Sequence, residues 1–289
     1  MKYLYYPGCS LEASAGEYDR SSRALLTAMG AEITELEGWS CCGASAAEAQ
    51  SRLLALALPA RNLAIAEKMG DARDLVVPCS ACYLNLRRVA EKIKREPELL
   101  TALNTVLEVD GLHLSGGVRV RHLLDVLAND LGAPALHARV VRPLKGLTIA
   151  PYYGCQCLRP YQVFDDPEAP RSMSPLVTAA GAAVHPWRMG ARCCSASLMT
   201  TKPEVGLPLV AGLLKAARGA DAIATVCPMC QMNLEAFQSK ASRFAAEDLI
   251  ISVLYLPQLL GLALGLAESE LGLGFNLALT PGFRQKLAA

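Results

Sequence analysis

The sequence predicts an α/β protein of two duplicated halves. Each is a small, mostly parallel sheet flanked by helices, with cysteine sites at strand ends facing a shared cavity. Three observations lead to this expectation. Short β-rich runs alternate with longer helical patterns, as right-handed strand–helix–strand crossovers require. One cysteine pattern is spelled twice, which marks an internal duplication. The chain's 289 residues are long for one compact unit and comfortable for two. We read the halves as residues 1–138 and 139–289.

In chain order, Tyr3–Tyr6 reads as strand, Glu17–Met29 as helix, Glu32–Leu36 as strand and Ala44–Lys68 as helix. Pro59 is expected to kink or split that helix. Asp74–Val77 follows as strand, then a helix from about Ala81 to Ile93. Gly132–Gly146, rich in Ala, Arg and Pro, reads as the linker between halves. Leu249–Ala267 has the length and apolarity of a membrane span, but Pro257-Gln258 interrupts it. Its repeat partner, Val118–Leu127, carries Arg119, Arg121, His122 and Asp125. A segment with so polar a counterpart is read as strand, turn and helix, with no membrane span.

Composition narrows the function. At 52% hydrophobic and 19% charged residues, disorder is excluded. A formal net charge of +1 leaves no global field for nucleic acid, so any anion site must be local. Met1–Ala15 holds a single Lys2 and no apolar run of signal length, so the expected compartment is the cytoplasm. Thiols stay reduced there, and eleven cysteines then argue for metal ligation or redox chemistry rather than disulfides.

Ten of them form the two copies: Cys9, Cys41-Cys42 and Cys79-x-x-Cys82, then Cys155, Cys193-Cys194 and Cys227-x-x-Cys230. The intervening gaps are 31 and 36 residues in the first copy and 37 and 32 in the second. A Cys-x-x-Cys opening a helix exposes both sulfurs to the positive end of the helix dipole. By itself it fits a redox pair, half a zinc site or part of an iron–sulfur site. A structural zinc takes four ligands around one atom, and five thiols per half exceed that. Adjacent residues of extended chain point to opposite faces, so Cys41-Cys42 suits an extended cluster better than one ion.

These residues carry a resemblance. One cysteine, a Cys-Cys pair and a Cys-x-x-Cys, separated by gaps of thirty-odd residues, resemble the cysteine-rich CCG domain. Tyr-Pro-Gly-Cys-Ser-Leu-Glu at 6–12, Cys-Cys-Gly-Ala at 41–44, Tyr-Gly-Cys at 153–155 and Cys-Pro-Met-Cys-Gln-Met-Asn-Leu at 227–234 resemble the HdrB-type subunit of heterodisulfide reductase. That resemblance implies a noncubane [4Fe-4S] cluster on Cys9, Cys41, Cys42, Cys79 and Cys82. It implies a second on Cys155, Cys193, Cys194, Cys227 and Cys230. The two clusters would flank a cavity where a disulfide is cleaved or formed by two-electron transfer. No Gly-x-Gly-x-x-Gly and no ferredoxin-type cysteine run occurs, so electrons would pass through partners. The resemblance implies that these are the ferredoxin-like and flavoprotein subunits of a heterodisulfide reductase-like complex. Two other readings stand beside this one. The first is a CCG-type electron relay in a lactate, glycolate, glycerol-3-phosphate or succinate dehydrogenase system; the second is a non-enzymatic zinc scaffold.

Two departures matter. Ser195 follows the second Cys-Cys pair where Gly43 follows the first, so a left-handed backbone there is expected to be lost. Cys157 has no partner in the first half and reads as a small apolar filler. His113, His122 and His137 fall in no shared spacing, whereas His185-Pro186-Trp187-Arg188 precedes Cys193 as a cavity neighbour. Arg159, Arg188 and Arg192 read as surface charge, with an anionic thiol substrate as the functional alternative.

Overall fold

A computed structural model describes residues 1–70 and 74–288. The first half forms a four-stranded sheet from β1 (Lys2–Tyr5), β2 (Glu32–Glu35), β3 (Asp74–Val77) and β4 (Arg119–His122), ordered β2-β1-β3-β4. The second repeats it with β5 (Thr148–Tyr152), β6 (Ala183–Val184), β7 (Ala222–Thr225) and β8 (Ser252–Tyr255), ordered β6-β5-β7-β8. All pairs are parallel, and the register repeats: Leu4 faces Leu75 where Ala150 faces Ile223. The inner strands β3 and β7 are buried along their whole length, as helices on both sheet faces demand. In this strand order the chain reverses direction between β1 and β3, and again between β5 and β7. The crevice at the carboxyl ends there is where such sheets bind ligands.

Of the first-half elements bounded from sequence, all but Ala44–Lys68 are placed to within a residue. Three segments differ. The helix expected over Ala44–Lys68 is two helices, Ala44–Gln50 and Arg52–Met69, and the break lies at Ser51 rather than Pro59. Ser51 is extended, and its Oγ accepts from the Leu54 N–H at 3.4 Å, capping the second helix. Pro59 sits inside that helix, where it forfeits one backbone hydrogen bond but buries its ring. The segment Gly132–Gly146 is helical over Gly132–His137, because Leu136 is buried. In Leu249–Ala267, β8 runs directly into the helix Leu256–Ala263 without a turn. There the Tyr255 N–H donates to Gln258 Oε1 at 2.9 Å.

The halves interlock. The helix Leu256–Ala263 of the second half packs on the helix Gly16–Ala28 of the first. The helix Gly132–His137 packs on Met173–Ala179. Tyr18 stacks on Tyr255 with centroids 4.1 Å apart and planes 3° from parallel. His122 stacks on Phe164 at 6.2 Å and 8°. Tyr18 and Phe164 each lie nine positions after the first cysteine of their half. The two stacks are therefore one contact seen twice across a pseudo-twofold interface.

Candidate metal centres

Each cysteine stands where a strand gives way to a loop or helix. Cys9 follows β1 and Cys155 follows β5; Cys79 and Cys227 each precede the first residue of a helix, Ser80–Ile93 and Pro228–Ala236. Glycine makes the approach possible. Gly8 has φ +73°, and a Cβ on it would lie 2.9 Å from Cys82 Sγ; Gly154 has φ +70°, and its Cβ would lie 3.0 Å from Cys230 Sγ.

The Cys-Cys loops are tied down alike. Tyr6 donates its hydroxyl to the Ser40 carbonyl at 2.7 Å, and Tyr152 donates to the Arg192 carbonyl at 2.6 Å. In each pair the first cysteine is exposed and the second buried. They part company as alternating side chains do: Cys41 Sγ lies 3.6 Å from Cys9 Sγ, and Cys42 Sγ lies 3.3 Å from Cys82 Sγ. In the second half Cys193 hydrogen-bonds with Cys155, and Cys194 Sγ lies 3.4 Å from Cys230 Sγ.

These sulfur pairs shift acidity in opposite directions. The hydrogen bond with Cys82 brings Cys42 down to about 6, and the bond with Cys155 brings Cys193 to about 6. The bond with Cys230 brings Cys227 to about 7. Cys82, Cys155 and Cys230 are pushed up by the same contacts. Burial, followed by the contact with Cys41, lifts Cys9 to about 11.

Backbone and amide donors complete the sites. Gly43 N–H donates to Cys41 Sγ at 3.4 Å, and Ser195 N–H to Cys193 Sγ at 3.3 Å. Asn85 donates to the Cys42 carbonyl at 3.3 Å, and Asn233 to the Cys194 carbonyl at 2.5 Å. Neither asparagine stands out in the sequence by itself. Their signal is Cys-x-x-Asn in both copies, Cys82 to Asn85 and Cys230 to Asn233.

Ser195 corrects an expectation. It keeps the left-handed backbone, φ +60° against +79° at Gly43. Its Oγ donates to the Gly206 carbonyl at 2.9 Å. Room for the hydroxymethyl group comes from Gly206; at Gly43 a Cβ would lie 2.9 Å from Leu58 Cδ1.

Five of the six second-half cysteines line one cavity of about 70 Å³ with Ser80 of the first half. Cys157 is not among its walls; its Sγ donates to the Tyr153 carbonyl at 3.2 Å, and burial raises its pKa. Ser80 belongs to a buried bridge. His122 Nδ1 accepts from the Leu124 N–H at 3.1 Å, which leaves the proton on Nε2, facing Ser80 Oγ at 3.1 Å. Ser80 in turn donates to the Val226 carbonyl, next to Cys227, at 3.1 Å. Burial lowers His122 to about 3, so it stays neutral. His122 is thus an interface residue.

An all-thiol donor set, glycine cradles that any Cβ would fill and N–H groups aimed at sulfur fit an iron–sulfur group. Among the described residues, no group of three His, Cys, Asp or Glu side chains is arranged to hold a single metal ion.

The profile of the cysteine-rich CCG domain matches residues 3–87 and again 149–235. The chain belongs to this family. Over 96% of its length, and 96% of the relative's, it is 35% identical to the 8-methylmenaquinol:fumarate reductase membrane anchor subunit of Wolinella succinogenes. It is 30% identical to a protein of Archaeoglobus profundus that is like the HdrB subunit of heterodisulfide reductase, over 92% of this chain and 91% of that one. It is 29% identical to the HdrB subunit of the ferredoxin/F(420)H(2)-dependent CoB-CoM heterodisulfide reductase of Methanosarcina acetivorans, over 95% and 93%. A hypothetical protein from Helicobacter pylori shares the fold, with a TM-score of 0.76 at 18% identity, covering 97% of this chain and 52% of that chain. As a CCG protein related to a subunit named as a membrane anchor, this chain has, among its described residues, no helix long and apolar enough to cross a membrane.

Two further cavities flank the sites. One of about 480 Å³ is lined by Arg159, Arg171, Arg188 and Arg192 with Tyr153 and Trp187, so the arginines read as surface charge surround a single hollow. Another, of about 410 Å³, lies between the halves and is lined by Glu12, Glu17, Arg20, Gln231, Glu235 and Tyr255 among others. Burial lifts Glu235 there to about 7.

Proposed function

We propose that this chain is the catalytic iron–sulfur subunit of a heterodisulfide reductase-like complex, reducing or forming a disulfide by two-electron transfer. In this reading Cys9, Cys41, Cys42, Cys79 and Cys82 hold one noncubane [4Fe-4S] cluster. Cys155, Cys193, Cys194, Cys227 and Cys230 hold the other. The observation that carries it is the repetition of one five-thiol arrangement, down to tyrosine, glycine and asparagine, at equivalent strand ends of two halves that meet beside both Cys-x-x-Cys turns.

Bound clusters would supply one-electron steps, and two of them match the two electrons a disulfide takes. The chain's own residues hold and tune. Tyr6 and Tyr152 fix the Cys-Cys loops, and the N–H groups of Gly43 and Ser195 stabilise negative charge on sulfur. The His122–Ser80–Val226 bridge keeps the two Cys-x-x-Cys turns in register. Electrons would enter or leave through ferredoxin-like and flavoprotein subunits of the complex, in the cytoplasm.

The 35% identity to a quinol:fumarate reductase subunit favours a second reading, an electron relay of a fumarate- or succinate-linked system. Iron, sulfide and zinc quantitation with EPR on anaerobically purified protein tests the cofactor. About eight irons with matching sulfide support it, and stoichiometric zinc without sulfide overturns it in favour of a zinc scaffold. Turnover of a disulfide, against quinol-coupled fumarate reduction, in the partner-reconstituted complex separates the two redox readings.

A further inference from the structure

The cavity of about 480 Å³ sits between the loop that follows β5 and the loop that follows β6. Tyr153 lines both this hollow and the second cysteine cavity. The charge of the hollow is one-sided. Arg159, Arg171, Arg188 and Arg192 line it against a single carboxylate, Glu168, which lies 3.6 Å from Arg159 Nε with its side chain 77% exposed. Arg159 donates through Nη2 to the Pro167 and Ala191 carbonyls, at 2.7 Å and 3.0 Å, while its Nε is buried without a hydrogen-bond partner. Among the described residues, the guanidinium groups of Arg171, Arg188 and Arg192 enter no ion pair. Such convergence is self-repelling until an anion occupies it. His185 is tied to the Ala216 carbonyl at 3.2 Å, and Trp187 donates to the Pro151 carbonyl at 3.0 Å, so the far wall is fixed.

The duplication supplies a control. Beside the first Cys-Cys pair lies the corresponding hollow, about 640 Å³, lined by Glu12, Glu35 and Glu37 with Trp39, Ser40 and Cys41 and, among the described residues, by no lysine or arginine. The scaffold therefore does not dictate arginine here, because the two halves differ at the same place. A concave site of this size suits a small molecule, whereas an acidic protein surface calls for a flatter patch.

We propose that this hollow binds a small organic polyanion, a di- or tricarboxylate or a phosphorylated compound, as the recognition end of the substrate handled at the neighbouring cysteine site. The inference rests on those cysteines forming the reactive centre.

Calorimetric titration of the anaerobically purified full chain with citrate, with pyrophosphate and with poly-L-glutamate tests it. Citrate or pyrophosphate binds the native protein, and whichever binds more tightly identifies carboxylate or phosphate as the recognised group. The paired substitution Arg171→Gln/Arg188→Gln weakens that binding by about tenfold or more. Arg171→Lys/Arg188→Lys recovers most of it, and Glu37→Gln in the first half leaves it unchanged. Failure of both small anions to bind, equal affinity in the glutamine pair, or binding of poly-L-glutamate alone would each overturn the proposal, the last in favour of an acidic partner. Iron and sulfide assays on the same samples report on the cluster reading separately. A cluster-loaded protein that ignores both anions defeats this inference alone.

Discussion

Tyr6 and Tyr152 clamp the two Cys-Cys loops through hydrogen bonds of 2.7 Å and 2.6 Å, and the buried sulfur pairs sit at 3.3 Å and 3.4 Å. Beside these matched loops one half presents glutamates and the other arginines. The halves also differ beneath the sheets. Arg121 on β4 is 7% exposed and paired with Asp74, Asp125 and Asp130, whereas the corresponding β8 residue is Leu254. Positions that hold sulfur have kept one geometry through the duplication. Positions that line the neighbouring hollows, or that merely fill space, have diverged in charge and polarity.

The sharpest way to break the matched part is at the two candidate ligands of Cys155-Gln156-Cys157. Cys155→Ser is expected to remove about half of the iron and one of the two EPR signals, and Cys157→Ser to leave both. Iron loss only from the Cys157 variant would shift the second site by two residues. The buried charges come next. Arg121→Met strands the buried Asp125, while Asp74 keeps Arg119, and should lower stability by about 3–5 kcal/mol. Leu254→Met, its apolar counterpart, should cost less than about 1.5 kcal/mol. Urea midpoints of the two variants check the contrast.

Glu235 gives a pH signature. Its folded pKa, about 7, lies above the ordinary 4.5, so its contribution is present below pH 4.5 and is lost as pH rises through about 7. Glu235→Gln should flatten that decline and stabilise the protein above it, by at most about 3 kcal/mol. His122, held at about 3, has the opposite sign: its contribution is present above pH 6.5 and lost as pH falls toward 3. Thermal melts across pH 3 to 7 (roughly the span of both windows) would separate them, and an unchanged slope in the glutamine variant would contradict the assignment. The smallest effects concern the residue after each pair. Gly43→Ser should cost about 2 kcal/mol, because the new Cβ would meet Ala47 Cβ at 2.7 Å. Ser195→Gly exchanges one hydrogen bond for a relaxed backbone and should stay within about 1 kcal/mol.

Sequence alone carried the duplicated α/β fold and the doubled cysteine pattern, because strand–helix alternation and cysteine spacing are local patterns that survive duplication. It missed the Ser51 cap, where one hydroxyl outweighed the expected effect of Pro59. It also missed how Gly206 accommodates Ser195, since that compensation joins residues on separate elements. The arginine hollow was legible only as scattered charges; two loops had to fold back before Arg159 and Arg188 could share a wall. His122 read as an ordinary histidine because its partners lie in Ser80 and, across the interface, Phe164.

The exchange of helices between halves carries a consequence for how the protein is made. The helix Gly16–Ala28 is synthesised about 230 residues (about 240 from start to start) before the helix it packs against, Leu256–Ala263. Tyr18, whose hydroxyl donates to the Pro78 carbonyl at 3.1 Å, waits for Tyr255 as well. The first thiol site therefore reaches its final packing only after the second half has been synthesised. Until then the surface around Cys9 and Cys41 is unfinished, and the amino-terminal half waits on the second half for its packing.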